Sequence, residues 1–407
     1  MHKTRWPVAL CALFCCALAS AQQPPPGTEG DQVNASLTRY ESEITDGSLA
    51  GGRELRYVVR LGKLRLDDRY RYDKTGRLAS ARSLSHYFIS PDNGGWSRWG
   101  LLRVTAATAQ GKTRRLLPQY SLSSVTVLAS GERALVQYVW ELPPSKQQSK
   151  ITPPPALYLR VLRLPHDRFT YFRVQLDHPE YKLVEVTLSG YPHSTTGERY
   201  KVRERWVASA KRTACCHQAQ TFGPGEPALF LFNKRAQENC GMELVRLAEE
   251  APQAVVAGSY AVSCTLKLSP KAQNENAVCF ALSEWREAHY EPARRRFFAE
   301  DAPRVAKTLA SLNWLADLSR LPDPQLVADV RELLACPELN AKFGQRCARL
   351  LEQVDRVKAP LLWPEKLPTG QLWKLETSLL NLSAELRRLA LLMMRQWLDE
   401  GYWDRQR

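Results

Sequence analysis

The sequence predicts an α+β protein: a large antiparallel β-sandwich followed by a C-terminal helical bundle. Three observations carry that reading. Apolar residues recur every second position from about Glu54 to Trp285, the mark of strands with one buried face and one wetter face. No helical pattern separates those strands, which disfavours a parallel βαβ architecture. From about Glu291 the period changes from two to 3.6, the spacing of amphipathic helices. The chain has 407 residues, 44% of them hydrophobic and 24% charged, so it is long enough for two domains and too apolar for a disordered chain.

The first 21 residues read as a secretory signal peptide. Lys3 and Arg5 precede an apolar run, Val8 to Leu18, and Ala19-Ser20-Ala21 supplies a small-x-small cleavage pattern before Gln22. The run is too short to span a bilayer, so it reads as a leader rather than an anchor. An exported chain, periplasmic or extracellular, is expected. Residues 22–52 form a Pro-rich and polar leader to the sandwich, which occupies 53–288.

The early strands are predicted at Glu54–Arg60, Gly62–Tyr72, Leu78–Ile89 and Arg98–Ala107. Four clear alternating segments follow between Ala134 and Gly190: ALVQYVWEL, ALYLRVLRL, RFTYFRVQL and KLVEVTLSG. In the third, Phe172, Val174 and Leu176 oppose Tyr171, Arg173 and Gln175. Further strands are expected at Arg199–Ala208, Ala228–Asn233, Cys240–Ala248, Ala254–Ala257, Ala261–Ser269 and Ala277–Leu282. In the first of these Arg199, Lys201, Arg203 and Arg205 make a basic stripe. A dozen or more strands exceed one small flat sheet, so two packed layers are the natural solution.

The helical part, 289–407, begins with a helix burying Val305, Leu309 and Leu312. Asp323-Pro324 starts a second with a cap and a proline in its first turn, and a third runs over about 340–356. The last carries Leu372, Leu375, Leu379, Leu382, Leu386, Leu389 and Met393 at alternating spacings of three and four. That heptad seam is read either as the inside of an intramolecular bundle or as a docking site for a partner helix.

Seven cysteines lie beyond the leader, and an oxidising compartment would pair most of them. Cys264 and Cys279 flank a turn-rich loop and are candidates for a bridge across a hairpin. Cys336 and Cys347 close a short loop between two helices. Cys240 could take either of the vicinal Cys215 and Cys216. No C-x-x-C spacing and no pair of histidines at ligand spacing is present, so neither metal nor other cofactor is expected.

The formal charge of +15 points to anionic partners such as acidic polysaccharide, lipid headgroups or nucleic acid. Without a recognised nucleic-acid module, an exported chain is not expected to bind nucleic acid. The segment SPDNGGWSRWG, Ser90 to Gly100, is the candidate ligand loop: Trp96 and Trp99 could stack on sugar rings, and Arg98 could meet a carboxylate or sulfate. Asp177, His178 and Glu180 follow a strand and are the candidate acid–base group, with an ordinary turn before the next strand as the alternative. No esterase elbow, zinc-protease, Walker or dinucleotide motif occurs.

Two resemblances follow from these patterns. RYRYDKTGRLASA, Arg69 to Ala81, resembles one copy of the tyrosine-aspartate repeat of large bacterial shell proteins, and implies a hairpin turning at Asp73 to Gly76. The run of strands from Glu54 to Trp285, with the helices after it, resembles the galactose-mutarotase-like supersandwich domains of carbohydrate-active proteins. That second resemblance implies a sandwich able to engage carbohydrate. Three functions are therefore expected in order: a non-catalytic exported protein binding a glycan or other anionic envelope component; a glycan-active hydrolase, lyase or epimerase; or an assembly protein using its C-terminal seam.

Overall fold

The computed structural model describes residues 32–62, 64–82, 99–117, 122–142, 155–190, 193–194, 205–234, 239–258, 261–287, 289–315, 322, 324–361 and 369–400. The chain forms two compact units, Met1–Trp314 and Leu315–Arg407. The first helical segment therefore belongs with the sheets, and the division falls later than the 288/289 boundary read from the sequence.

Three antiparallel sheets build the first unit. A four-stranded sheet takes Ala35–Glu43, Arg53–Leu61, Leu64–Tyr72 and Leu78–Arg82 in chain order. The sequence reading placed a loose leader where the first of these strands runs. Its polar residues are those of an edge strand, paired in full register with the next strand from Ala35↔Leu61 to Glu43↔Arg53.

Three of the four central segments, Ala134–Glu141, Ala156–Arg163 and Thr170–Asp177, pair consecutively inside a ten-stranded sheet. The fourth, Tyr181–Gly190, crosses to a six-stranded sheet, where it pairs with Trp99–Thr108 and Val262–Lys267. Residues 178–180 are thus the corner between two layers.

The inward faces of all three sheets meet in one core that includes Leu66, Tyr70, Val104, Trp140, Phe172, Val186, Leu244 and Phe280. Phe172 stacks on Phe280 at 5.3 Å, and Trp140 Nε1 donates to Tyr70 Oη at 3.3 Å across two sheets. Each such apolar side chain contributes roughly 1.5–3 kcal/mol by leaving water.

The middle of the outward face of the ten-stranded sheet is buried as well, against the expectation of a wetter face. Arg160 and Glu243 are fully buried there, and Gln137 is 2% exposed. A helical strap covers them: Tyr290–Arg296, a π-helical turn over Phe297–Asp301, and Ala302–Ser311. Phe297 wedges against Phe230 at 5.9 Å and Phe169 at 6.3 Å. Arg160 donates from Nε to Gln137 Oε1 at 2.9 Å and from Nη1 to the Trp314 carbonyl. Arg168 Nη2 reaches both Glu243 at 2.8 Å and Asp301 at 2.6 Å, and Arg304 clamps Asp167 at 3.0 and 3.2 Å. Burial pushes the Glu243 carboxyl up and the Arg168 bonds only partly offset it, so it stays above the usual range.

Elsewhere in this unit the predicted loop 269–276 is a short helix, Pro270–Glu275. Ser269 Oγ caps it by accepting from Ala272 N at 3.2 Å, Pro270 opens it, and Asn276 ends it at φ 53°. The Ser-Pro pair was the signal for that start. Arg246 is 1% exposed, and its guanidinium donates to the carbonyls of Phe222, Gly223, Glu226 and Ala251, tying two loops together.

In the second unit Pro324–Leu333, Pro337–Leu361 and Thr369–Asp399 are helices. The seam residues Leu379, Leu386, Leu389 and Met393 are all buried. Leu379 packs with Val354 and Leu361, and Cys347 Sγ lies 3.6 Å from Met393 Sδ. The seam faces its own bundle. No helix among the described residues is long and apolar enough to cross a membrane.

Replacing Arg168 by methionine strips a fully buried Glu243 of its guanidinium. Arg168→Met is expected to cost about 3–5 kcal/mol, read as a shift of the unfolding midpoint in urea. A double variant with Glu243→Met should recover most of that loss.

Candidate functional site

The outer face of the four-stranded sheet gathers charge that is scattered in the sequence. In ELRYVVRLGKLRLDDRYRY, Glu54 to Tyr72, every second residue along each strand turns inward and all but Asp68 are apolar or aromatic: Leu55, Val59, Leu61, Leu64, Leu66 and Tyr70 are buried, and so is Asp68. The intervening residues turn outward, and Gly62, at φ 57°, closes the hairpin that sets their register. That register places Arg60 opposite Arg65, Val58 opposite Asp67, Arg56 opposite Arg69, and Glu54 opposite Arg71. Five guanidiniums thus share a face with two carboxylates.

Like charges directly opposite each other on adjacent strands destabilise a sheet, and here two Arg–Arg pairs are stacked one above the other. Asp67 sits between them at 1% exposure. Arg56 Nε donates to both its oxygens, at 2.9 and 3.0 Å, and a second Arg56 nitrogen also reaches it. Arg65 approaches at 3.4 Å and Arg69 at 3.5 Å. The Asp67 bond holds the Arg56 guanidinium above its usual range, against the opposing effect of burial. Arg71 Nε pairs with Glu54 at 2.7 Å.

One central carboxylate therefore orients three arginines whose side chains all stay partly exposed. The side chains of Arg56, Arg65 and Arg69 are 28%, 40% and 32% exposed. Such half-exposed, pre-oriented forks suit carboxylate, sulfate or phosphate oxygens, which they can meet two at a time.

An aromatic ring borders the array. Tyr40, on the neighbouring strand and opposite Arg56, is 52% exposed, and the Arg56 guanidinium lies 6.0 Å from its centroid. At the end of the sheet a cleft of about 320 Å³ is lined by Glu41, Glu43, Gly52, Arg53, Asp73 and Lys74. The predicted turn at Asp73–Gly76 forms one wall. The Asp73 carboxylate accepts from Thr75 Oγ1 at 2.6 Å and from the Thr75 and Arg77 amides, which hold it below the usual carboxylate range. The outer face of the six-stranded sheet differs in kind: Thr187 bonds Thr265 at 2.9 Å and Lys267 pairs with Glu185.

The residues singled out from sequence fare differently. Trp96 and Arg98 lie outside the described residues. Trp99 opens the strand Trp99–Thr108 opposite Gly190, with its side chain outside them. Asp177, His178 and Glu180 come together at the corner between two sheets. There His178 is 7% exposed, and its Nδ1 accepts from the amides of Glu180 at 3.1 Å and Tyr181 at 3.2 Å. The lone pair a general base would use is committed to the turn.

Arg199, Lys201 and Arg203 lie outside the described residues, and Arg205 is buried at 3% exposure rather than part of an open stripe. Cys264 and Cys279 do not face each other across a hairpin. Their strands belong to different sheets, separated by the helix Pro270–Glu275, and both are free thiols. Cys336 and Cys347 are also free; Cys336 Sγ contacts Glu338 at 3.2 Å. Among the described residues no group of His, Cys, Asp and Glu could hold a metal ion.

No protein-family model and no curated protein matches the chain. Solved structures do. An alpha-mannosidase from Enterococcus faecalis is 8% identical over 69% of this chain and 40% of its own, with a TM-score of 0.34. An alpha-N-acetylgalactosaminidase from Bifidobacterium bifidum is 6% identical over 67% and 40%, with a TM-score of 0.36. A protein described as an aldose 1-epimerase from Klebsiella pneumoniae is 9% identical over 67% of this chain and 88% of its own, at 0.34. The match spans about two-fifths of the first two proteins.

Asp67→Asn leaves the facing arginines with no anion between them and should cost about 1.5–3 kcal/mol, measured by urea unfolding. Added sulfate should restore more stability to the variant than to the parent.

The His178 turn predicts a pH effect of definite sign. Burial holds its pKa below the usual value, so the folded state binds fewer protons. That stability is present above about pH 6.5 and is lost as pH falls through the lower folded value. Between pH 7 and 5 the parent's Tm should fall more than that of His178→Asn.

Proposed function

We propose that this chain is an exported, non-catalytic binding protein that engages an anionic glycan, or another anionic component of the cell envelope, through the outer face of its four-stranded sheet. The facing pairs Arg60–Arg65 and Arg56–Arg69 around one buried carboxylate carry this reading. An arrangement that destabilises the free sheet is relieved when a polyanion lies across it. Tyr40 beside the array gives a sugar ring a surface to stack on, so a charged polysaccharide fits better than a bare anion. The leader at 1–21 supports export. The loop at 90–100, with Trp96, Arg98 and Trp99, is a second candidate contact, tested separately by Trp96→Ala with Trp99→Ala.

Binding of the mature chain to dextran sulfate and polygalacturonate, with neutral dextran as control, tests the proposal. Both anionic polymers should bind and dextran should not, with affinity falling as salt screens the charges. Arg60→Glu with Arg69→Glu should weaken binding at least tenfold. Equal retention on neutral dextran, or an unchanged affinity in that variant, would sink the reading.

A further inference from the structure

The last helix offers a second surface, independent of the sheet face. Of the four large hydrophobic side chains most exposed among the described residues, three lie near its end: Leu391 at 49%, Leu392 at 47% and Leu398 at 38%. Helical spacing puts Leu391 and Leu398 on one ridge, two turns apart, with Arg388 and Arg395 alongside at the same spacing and Arg387 on the other flank. All three arginines are exposed. The buried seam of Leu386, Leu389 and Met393 occupies the opposite side, so this ridge is not what holds the helix in its bundle. Of the nearest acids, Glu385 pairs with Arg346 at 2.9 Å, and exposed Asp399 pairs with Arg395 itself at 3.3 Å, which offsets part of that arginine's charge and leaves Arg387 and Arg388 as the larger share of the positive flank.

We infer that this ridge docks on an anionic lipid surface. Leucines standing on a convex helix, flanked by arginines, are the pattern of a side that inserts apolar tips between headgroups while its guanidiniums remain among the phosphates. Charge decides against a second copy, because a twofold contact would bring the Arg388 and Arg395 rows of both chains together. With only three leucines and three arginines, binding is weak, reversible and salt-dependent.

Co-sedimentation of the full mature chain with vesicles of phosphatidylglycerol and phosphatidylcholine, against phosphatidylcholine alone, tests this. The chain should pellet with the anionic vesicles only and be released by 0.5 M salt, where the Debye length is about 4 Å. Leu391→Ser with Leu398→Ser, and separately Arg388→Gln with Arg395→Gln, should each reduce pelleting at least fivefold with helix content unchanged by circular dichroism. Arg60→Glu with Arg69→Glu should pellet as the parent does, which separates this surface from the sheet face. Absence of pelleting by the parent overturns the inference, as does pelleting that survives both helix variants. A concentration-dependent dimer abolished by the leucine variant, or binding to polyglutamate but not to vesicles, overturns it in favour of another chain.

Discussion

The architecture of the first unit depends on keeping the middle of a ten-stranded sheet dry on both faces. One face meets the other two sheets in the common core; the other carries Arg160, Gln137 and Glu243, groups that are costly to bury without partners. Gln137 and Glu243 are bonded by Arg160 and Arg168 of the same unit, and the strap from Tyr290 to Trp314 completes the network through the Trp314 carbonyl on Arg160, Asp301 on Arg168 and Arg304 on Asp167. Burying charges in this way adds little net stability over an apolar equivalent. It does tie the strap to the sheet at three points, Arg160, Arg168 and Arg304.

That closure leaves the outer faces of the four- and six-stranded sheets as sheet surfaces open to a partner. They are chemically unlike. The six-stranded face pairs Thr187 with Thr265 and Lys267 with Glu185, and its exposed arginines, Arg103 and Arg115, lie opposite threonines rather than opposite each other. The four-stranded face opposes arginine to arginine twice, and one carboxylate engages three of the four, Arg56, Arg65 and Arg69. A sheet selected for stability alone has no reason to keep that arrangement, and sheets depart from local consistency at sites of function. That departure is the physical reason for proposing this face as the binding surface.

Much of the fold was legible in the sequence, because period-two patterning reports burial directly. The alternation of Phe172, Val174 and Leu176, the turn at Asp73–Gly76 and the seam of the last helix were all visible. The candidate site was not, for an equally physical reason. Arg56 and Arg69 are thirteen positions apart, and only the register set by the Gly62 turn makes them neighbours. The same blindness to pairing made Cys264 and Cys279 look like partners across a hairpin, when a layer change separates them. Outward residues of the central strands read as wet because a strand cannot announce that a later helix will cover it. His178 looked like a base because its spacing to two carboxylates was visible and its bonds to two backbone amides were not.

The most direct measurement of the central claim is a crystal structure of the mature chain with a sulfated oligosaccharide. The account predicts sulfate oxygens within hydrogen-bonding distance of Arg60, Arg65 and Arg69, with Asp67 still bound by Arg56 and a sugar ring over Tyr40. An oligosaccharide ordered elsewhere on the protein, with this face empty of it, would contradict the account.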